Sequence, residues 1–498
     1  MPGKTQRALR NSAIQGVSQV LTWSLSWVLL IMLPRFLGDE GFGTLFFALS
    51  YGTIFGTLLN LGINKYLVRE VAVLNPIDKP GDEQDVFREK IRRLLGSVFA
   101  MKLALAVAVY ALMAVTVVLL PYDRETVRAV WIIALAVCIG DMTLTLGSVF
   151  QGFENMMPPN FGLIAEKALT TGIAAALLLT GHGLLLVCWV YVGAAALNFA
   201  IVLGLLLRRI SFRPVWDAAI MRAVFLGGLP FLIWVIFGQI YARIDAFMLS
   251  LMVDKAVVGW YGAAFRLYST LLFIPHMLNT VVFPPLARMG ADEEQGADFA
   301  RASERLLNLL LFIAIPIGAG TALVAGPLVR LLYGEGPFLN TIPNLQIFGG
   351  SIVLVCIDVM LGSILISRGL QKQWAWMAVA AAAFNPVMNA WMIPLTQKLY
   401  GNGGIGAAWA TLLTELLMMG GALYLMPRGI LRPQSIVVGL KGLLAAALMS
   451  AAVIAVESDN LFVVIAVGAA VYVPAALLLG IPPRKDLRHL LHALKIVR

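Results

Sequence analysis

Long apolar runs separated by short polar segments repeat along the whole chain. Fourteen of them approach or reach the length of about 20 residues that a helix needs to cross a hydrocarbon core. They lie near 11–33, 42–63, 94–119, 129–150, 161–180, 184–207, 225–251, 259–281, 306–331, 345–367, 374–395, 405–425, 436–456 and 461–480. The pattern predicts an all-α integral membrane protein of about 14 transmembrane helices. The connections are short and leave no room for a soluble domain. The longest, near 64–93, reads as a loop with Pro76, Pro80, Gly81 and many charges. The first run follows Lys4, Arg7 and Arg10 and continues to about Leu33. That is too long for the apolar segment of a cleaved signal, so it is expected to be the first span.

Composition points to the same solvent. Of the 498 residues 60% are hydrophobic and 13% charged, against about 25% charged in an ordinary soluble protein. Orientation follows from lysine and arginine. With both termini in the cytoplasm, inner segments hold 27 of these residues and outer loops 5. The formal charge of +10 therefore lines an anionic inner leaflet, and no nucleic acid partner is needed to explain it. Cys138, Cys188 and Cys356 all fall within apolar runs and read as small buried hydrophobes.

The chain also repeats itself. Leu37–Gly43 after span 1 is echoed by Met252–Gly259 after span 7, and Leu67–Arg69 by Leu286–Arg288. The offsets are 215 and 219 residues, with six spans between copies. Both halves then share one orientation, as in carriers built of two six-helix lobes around a central site. The expected organisation is an N-terminal lobe over 1–222, a C-terminal lobe over 223–428 related to it by a pseudo-two-fold, and two further helices with a basic cytoplasmic tail over 429–498.

The same segments carry a family likeness. Arg35–Gly43, Asn60–Ile63 and Leu67–Glu70, then Gly227–Pro230, Arg243–Asp245, Tyr261–Arg266 and Phe283–Arg288, resemble polysaccharide-export flippases (Wzx-type). The likeness is clearest over 11–70 and 225–290. It implies the multidrug/oligosaccharidyl-lipid/polysaccharide exporter superfamily and alternating access by two lobes. The implied cargo is an undecaprenyl-pyrophosphate-linked oligosaccharide, moved from the cytoplasmic to the periplasmic leaflet of the bacterial inner membrane for O-antigen, capsule or exopolysaccharide assembly. Implied partners are that polyprenyl-linked glycan, membrane lipids and other polysaccharide-assembly proteins. Spans 13 and 14 are an addition that twelve-helix drug antiporters lack.

Ionisable groups inside a membrane are costly, so each is a functional candidate. Arg243 and Asp245 fall in the outer half of span 7, and Arg266 about 10 Å deep in span 8 at 1.5 Å per residue. Arg243 or Arg266 is a candidate for holding the pyrophosphate, since guanidinium matches phosphate geometry. The alternative is a structural ion pair between Asp245 and Arg266. Lys102, Glu166 and Lys167 fall in inner halves of spans 3 and 5. A Lys102–Glu166 pair would leave Lys167 for cargo or for snorkelling to the interface. Snorkelling is also the reading for Arg330. Asp141, Asp358 and Glu415, near mid-span, are candidates for ion coupling, or for hydrogen bonding to a neighbouring helix. Arg69, Arg92, Arg93 and Arg288 at inner helix ends either collect cargo phosphate or simply fix topology. Pro230, Pro275, Pro316 and Pro386 interrupt spans and allow bending or static kinks.

Enzymatic signatures are missing. There is no P-loop, and His182, His276, His489 and His492 form no metal-spaced set. No cofactor or metal is expected, and the coupling ion, H+ or Na+, stays open. Two other classes remain: an ion-coupled drug/cation antiporter of the same superfamily, and a membrane polysaccharide polymerase or ligase. Spans 1 and 2 lack the acid typical of the former, and the outer loops are too short for the latter.

Overall fold

The apolar runs form helices. The structure, a computed structural model, is helical over nearly all of its described residues, which are 4–74, 81–292, 296–427, 429–430 and 433–481. Pro76, Lys79, Pro80, Arg428, Arg432 and the basic tail with His489 and His492 lie outside them.

The chain divides into two compact units, one up to Leu251 and one from Met252. The first holds α1 (Lys4–Asn60), α2 (Ile63–Val73), α3 (Gly81–Leu119), α4 (Arg124–Gly152), α5 (Met157–Leu179), α6 (Leu184–Leu207) and α7 (Ala218–Met252). The second holds α8 (Lys255–Leu271), α9 (Phe273–Ala291), α10 (Gly296–Tyr333), α11 (Thr341–Ser367), α12 (Gln371–Tyr400), α13 (Gly403–Leu425), α14 (Pro433–Val456) and α15 (Leu461–Leu478). Among the described residues, twelve helical stretches are long and apolar enough to cross a membrane.

The first of these stretches covers 48 residues, Ala13–Asn60. At 1.5 Å per residue that is about 72 Å, more than two hydrocarbon thicknesses. The chain resolves the mismatch at Gly38, where φ is 70° and ψ 178°. Only glycine adopts that backbone readily. No atom lies within 4 Å of where a Cβ would be, so the constraint on this position is conformational and not steric.

Three helix starts are set by side-chain caps. Asp123 accepts from Glu125 N at 3.2 Å and from Thr126 Oγ1 at 2.5 Å; Asn402 accepts from Gly404 N at 3.1 Å; Asn460 accepts from Phe462 N at 2.9 Å. Each satisfies a first-turn N–H that lipid could not. In the second unit α10 and α11 approach closely, because a Cβ on Gly318 would strike the Gly349 carbonyl and Val353. Small residues permit such contact between membrane helices. Cys138, Cys188 and Cys356 are buried free thiols.

Two expectations change. Much of the supposed loop near 64–93 is helix. Ile63, Leu67 and Val71 recur every four residues and are fully buried along α2, while Lys65 and Arg69 stay exposed. That apolar stripe packs against Ile91, Leu94, Leu95 and Val98 of α3 and Val149 and Phe150 of α4. The run near 259–281 is broken at Leu272, three residues before Pro275, giving α8 and α9. Proline lacks the N–H that would continue the ladder across that point. By contrast Pro316 and Pro386 sit inside continuous helices.

Candidate functional site

In the first unit two charged residues of the apolar runs form a buried clasp. Lys102 on α3 and Asp141 on α4 are 1% and 8% exposed. The Lys102 ammonium donates to Asp141 Oδ2 at 2.8 Å and to the Leu59 carbonyl at 2.7 Å. Leu59 belongs to the last turn of α1, whose carbonyls lack helical partners; a lysine there satisfies one and complements the negative end of the helix dipole. The network continues through Thr145, whose hydroxyl donates to the Asp141 carbonyl and to Asn64 Oδ1, both at 3.0 Å. It brackets the α1–α2 junction, where Leu61 holds φ 45° and Gly62 φ 73°.

The Lys102–Glu166 pair expected from depth does not form. α3 lies against α4, which brings Asp141 to Lys102. Glu166 instead accepts from Asn198 Nδ2 at 2.6 Å on α6. Lys167 on α5 is half-buried, and among the described residues it has no hydrogen-bond or ion-pair partner. Arg69 is exposed on α2.

α7 joins this unit near the α3–α4 connection. Tyr122, in the α3–α4 connection, shares a hydrogen bond with Ser250 at 2.7 Å, and Phe247 lies 6.2 Å from the Tyr51 ring. Burial pushes the Tyr122 phenol up to about 12, with the Ser250 hydrogen bond acting against the rise. On α7 itself Asp245 is buried and Arg243 half-buried, and both engage other groups.

In the second unit Arg266 on α8 is half-buried, within electrostatic reach of the buried Tyr333 hydroxyl. Arg330, read as snorkelling, is tied to Glu335 at 3.4 Å and to Asp459 in the α14–α15 connection. Asp358 on α11 and Glu415 on α13 are both buried and come together. Among the described residues no amide or hydroxyl donates to either Asp358 oxygen; the Glu415 carboxyl faces it within hydrogen-bonding reach. Nearby in sequence, Thr414 accepts from Asn385 Nδ2 at 3.4 Å, and Asn385 Oδ1 accepts from Asn389 at 2.8 Å. Sequence reasoning weighed ionisable groups only and passed over these buried amides and Asn198. The four-residue spacing of Asn385 and Asn389 in an apolar run was the available signal.

A groove of about 500 Å³ runs along α10, α14 and α15, with walls such as Phe312, Leu323, Val453, Ile465 and Tyr472. The Tyr472 hydroxyl is turned away to the Phe312 carbonyl at 3.0 Å, so the wall is almost wholly apolar.

Comparison with known proteins is consistent with this architecture. The family model described as "Polysaccharide biosynthesis protein" matches residues 8–290, more than half of the chain. No curated protein matches by sequence. Among solved structures, the lipid II flippase MurJ in an inward closed conformation has a TM-score of 0.67 at 16% identity, covering 95% of this chain and 99% of that one. An inward-facing multidrug resistance MATE family transporter of the MOP superfamily has a TM-score of 0.58 at 13% identity, covering 81% and 94%. The MATE multidrug transporter DinF-BH has a TM-score of 0.52 at 15% identity, covering 86% and 96%. At these identities the likeness is one of fold.

Proposed function

Because the chain belongs to the family of polysaccharide biosynthesis proteins, we propose that it is a flippase for an undecaprenyl-pyrophosphate-linked oligosaccharide. Cargo moves from the cytoplasmic to the periplasmic leaflet of the bacterial inner membrane by alternating access. The observation that carries this reading is the family match over 8–290. The fold shared with a flippase whose name specifies lipid II, itself a lipid-linked cargo, supports it.

The proposed division of labour follows the cargo's three parts. Lys167, half-buried and without a partner among the described residues, is a cation available to phosphate; Arg243, Arg266 and Arg69 are the further candidates. Lys102 would reach cargo only if its bonds to Asp141 and Leu59 opened. The apolar groove of α10, α14 and α15 suits the polyprenyl tail, which needs a wall without polar atoms. The moving parts are the lobes over 1–222 and 223–428, followed by the two helices over 429–498, fourteen spans in all. Asp358 and Glu415 are the ion-coupling pair: two carboxylates side by side in a dry interior repel, and a proton or a cation between them relieves this.

The test is reconstitution in liposomes with a polyprenyl-pyrophosphate-linked glycan and a membrane-impermeant glycan-modifying probe. Protein-containing liposomes are expected to expose inner-leaflet glycan within minutes. Exposure no faster than in empty liposomes, with a correctly inserted and folded protein, rejects the cargo.

A second reading, an ion-coupled drug antiporter, draws on the fold shared with MATE transporters and on the Asp358–Glu415 pair. Drug accumulation assays in cells lacking their main exporters separate the two.

A further inference from the structure

A cavity of about 610 Å³ opens in the first unit, at the end whose loops carry the lysine and arginine excess. It is lined by the start of α1, the α4–α5 turn and the end of α6, and no residue assigned to cargo or coupling above is part of that lining. Two guanidiniums, Arg10 and Arg209, reach it. Among the described residues neither is paired with a carboxylate.

Arg209 is held by its side chain, and Arg10 is positioned through its neighbour. Asn11 Nδ2 donates to the Glu154 carbonyl at 2.7 Å, stitching the start of α1 to the turn and setting Arg10 beside it. In its hydrogen-bonding orientation the Asn155 side-chain oxygen accepts from both terminal nitrogens of Arg209, at 3.2 and 2.9 Å. The Arg209 guanidinium also lies 5.9 Å from the Phe150 ring centre. Asn155 uses one face of the fork and leaves other N–H groups of Arg209 for a ligand. Glu154 at the rim contributes one opposing negative charge, so two positive groups outweigh one. The remaining wall is apolar, with Phe161 on α5 and Leu205 on α6.

Two guanidiniums, that of Arg209 fixed by Asn155, above an apolar wall match a ligand with a phosphate at one end and hydrocarbon at the other. A soluble anion would gain nothing from Phe161 and Leu205. Guanidinium binds phosphate through paired N–H groups, and basic pockets at the inner membrane face are suited to lipid headgroups. We propose that this cavity is a binding site for a lipid-borne phosphate, clasped between Arg10 and Arg209. Two sources share that chemistry: a resident anionic phospholipid, and the phosphate of a polyprenyl carrier. The site does not depend on the flippase reading, since none of the residues given a cargo or coupling role lines it.

The experiment uses the full chain in phosphatidylcholine nanodiscs, with lipid retention counted by native mass spectrometry. The probes are phosphatidylglycerol, undecaprenyl phosphate and inorganic phosphate. At least one of the two lipids should be retained about tenfold over phosphatidylcholine, more weakly at high salt. Retention of phosphatidylglycerol assigns the site to resident lipid; retention of undecaprenyl phosphate alone assigns it to the carrier. Arg10→Gln/Arg209→Gln should abolish the preference, and Arg124→Gln/Arg128→Gln at the opposite end should not. Glu154→Gln removes the opposing charge and should tighten retention by roughly two- to fourfold, a gain that misfolding cannot mimic. Equal retention by the parent and the Arg10/Arg209 variant overturns the proposal. So does displacement of the lipid by millimolar inorganic phosphate, or a preference indifferent to Glu154→Gln.

Discussion

Replacing Lys102 by methionine keeps most of the side-chain volume and removes the charge. Asp141, 8% exposed, then loses its ammonium, and the Leu59 carbonyl loses its donor. Stranding one partner of a buried ion pair costs about 3–5 kcal/mol. An orphaned carbonyl adds roughly 1–3 kcal/mol. Asp141→Asn strands the ammonium instead, which keeps the Leu59 carbonyl, so its cost falls near the lower limit, about 3 kcal/mol. In the double variant no charge is stranded, and the loss is chiefly that of the carbonyl, roughly 1–3 kcal/mol. The double variant should therefore be more stable than Lys102→Met alone, with the two single losses over-adding by at least about 4 kcal/mol. Unfolding in mixed micelles titrated with SDS, followed by tryptophan fluorescence, measures all three. Additive losses, or a Lys102→Met protein as stable as its parent, would refute the clasp. A stable Lys102→Met protein that fails only in transport would assign the ammonium to cargo.

Other outcomes follow from single positions. Gly38→Ala should cost about 1–3 kcal/mol from backbone strain alone, while Gly172→Ala, helical and equally uncrowded, should be neutral or stabilising by up to about 1 kcal/mol; the same unfolding titration reads both. Asp358→Asn should uncouple glycan exposure in liposomes from the driving ion gradient, and an unchanged dependence on both H+ and Na+ gradients would remove the pair from coupling. Tyr122 should titrate near pH 12, seen as the ultraviolet difference between the parent and Tyr122→Phe. Its phenol is raised on folding, so the stability it contributes is complete below about pH 10 and is lost as pH rises from 10 toward 12.

The spans were legible because lipid demands long apolar runs, and α10 or α11 could be drawn from hydropathy alone. α2 was not, because Lys65, Arg69 and Glu70 lower its mean hydropathy although Ile63, Leu67 and Val71 mark one helical face. Depth along a span follows from counting residues, which puts Lys102 in the inner half of its helix. Its partner depends on which helices are neighbours, and the positions of the spans along the chain do not contain that. The same limit applied to Asp358 and Glu415: each stood out as a lone mid-span carboxyl, and their meeting required α11 to pack on α13. The cavity between Arg10 and Arg209 joins residues nearly two hundred positions apart, each of which alone reads as topology charge.

The three native thiols offer a practical advantage. Cys138, Cys188 and Cys356 are 6%, 0% and 3% exposed, and each lies within a helix. A water-soluble maleimide should barely touch them. Reporter cysteines can then be introduced one at a time into the natural background to follow which segments gain or lose water during a transport cycle, without first stripping the chain of sulfur.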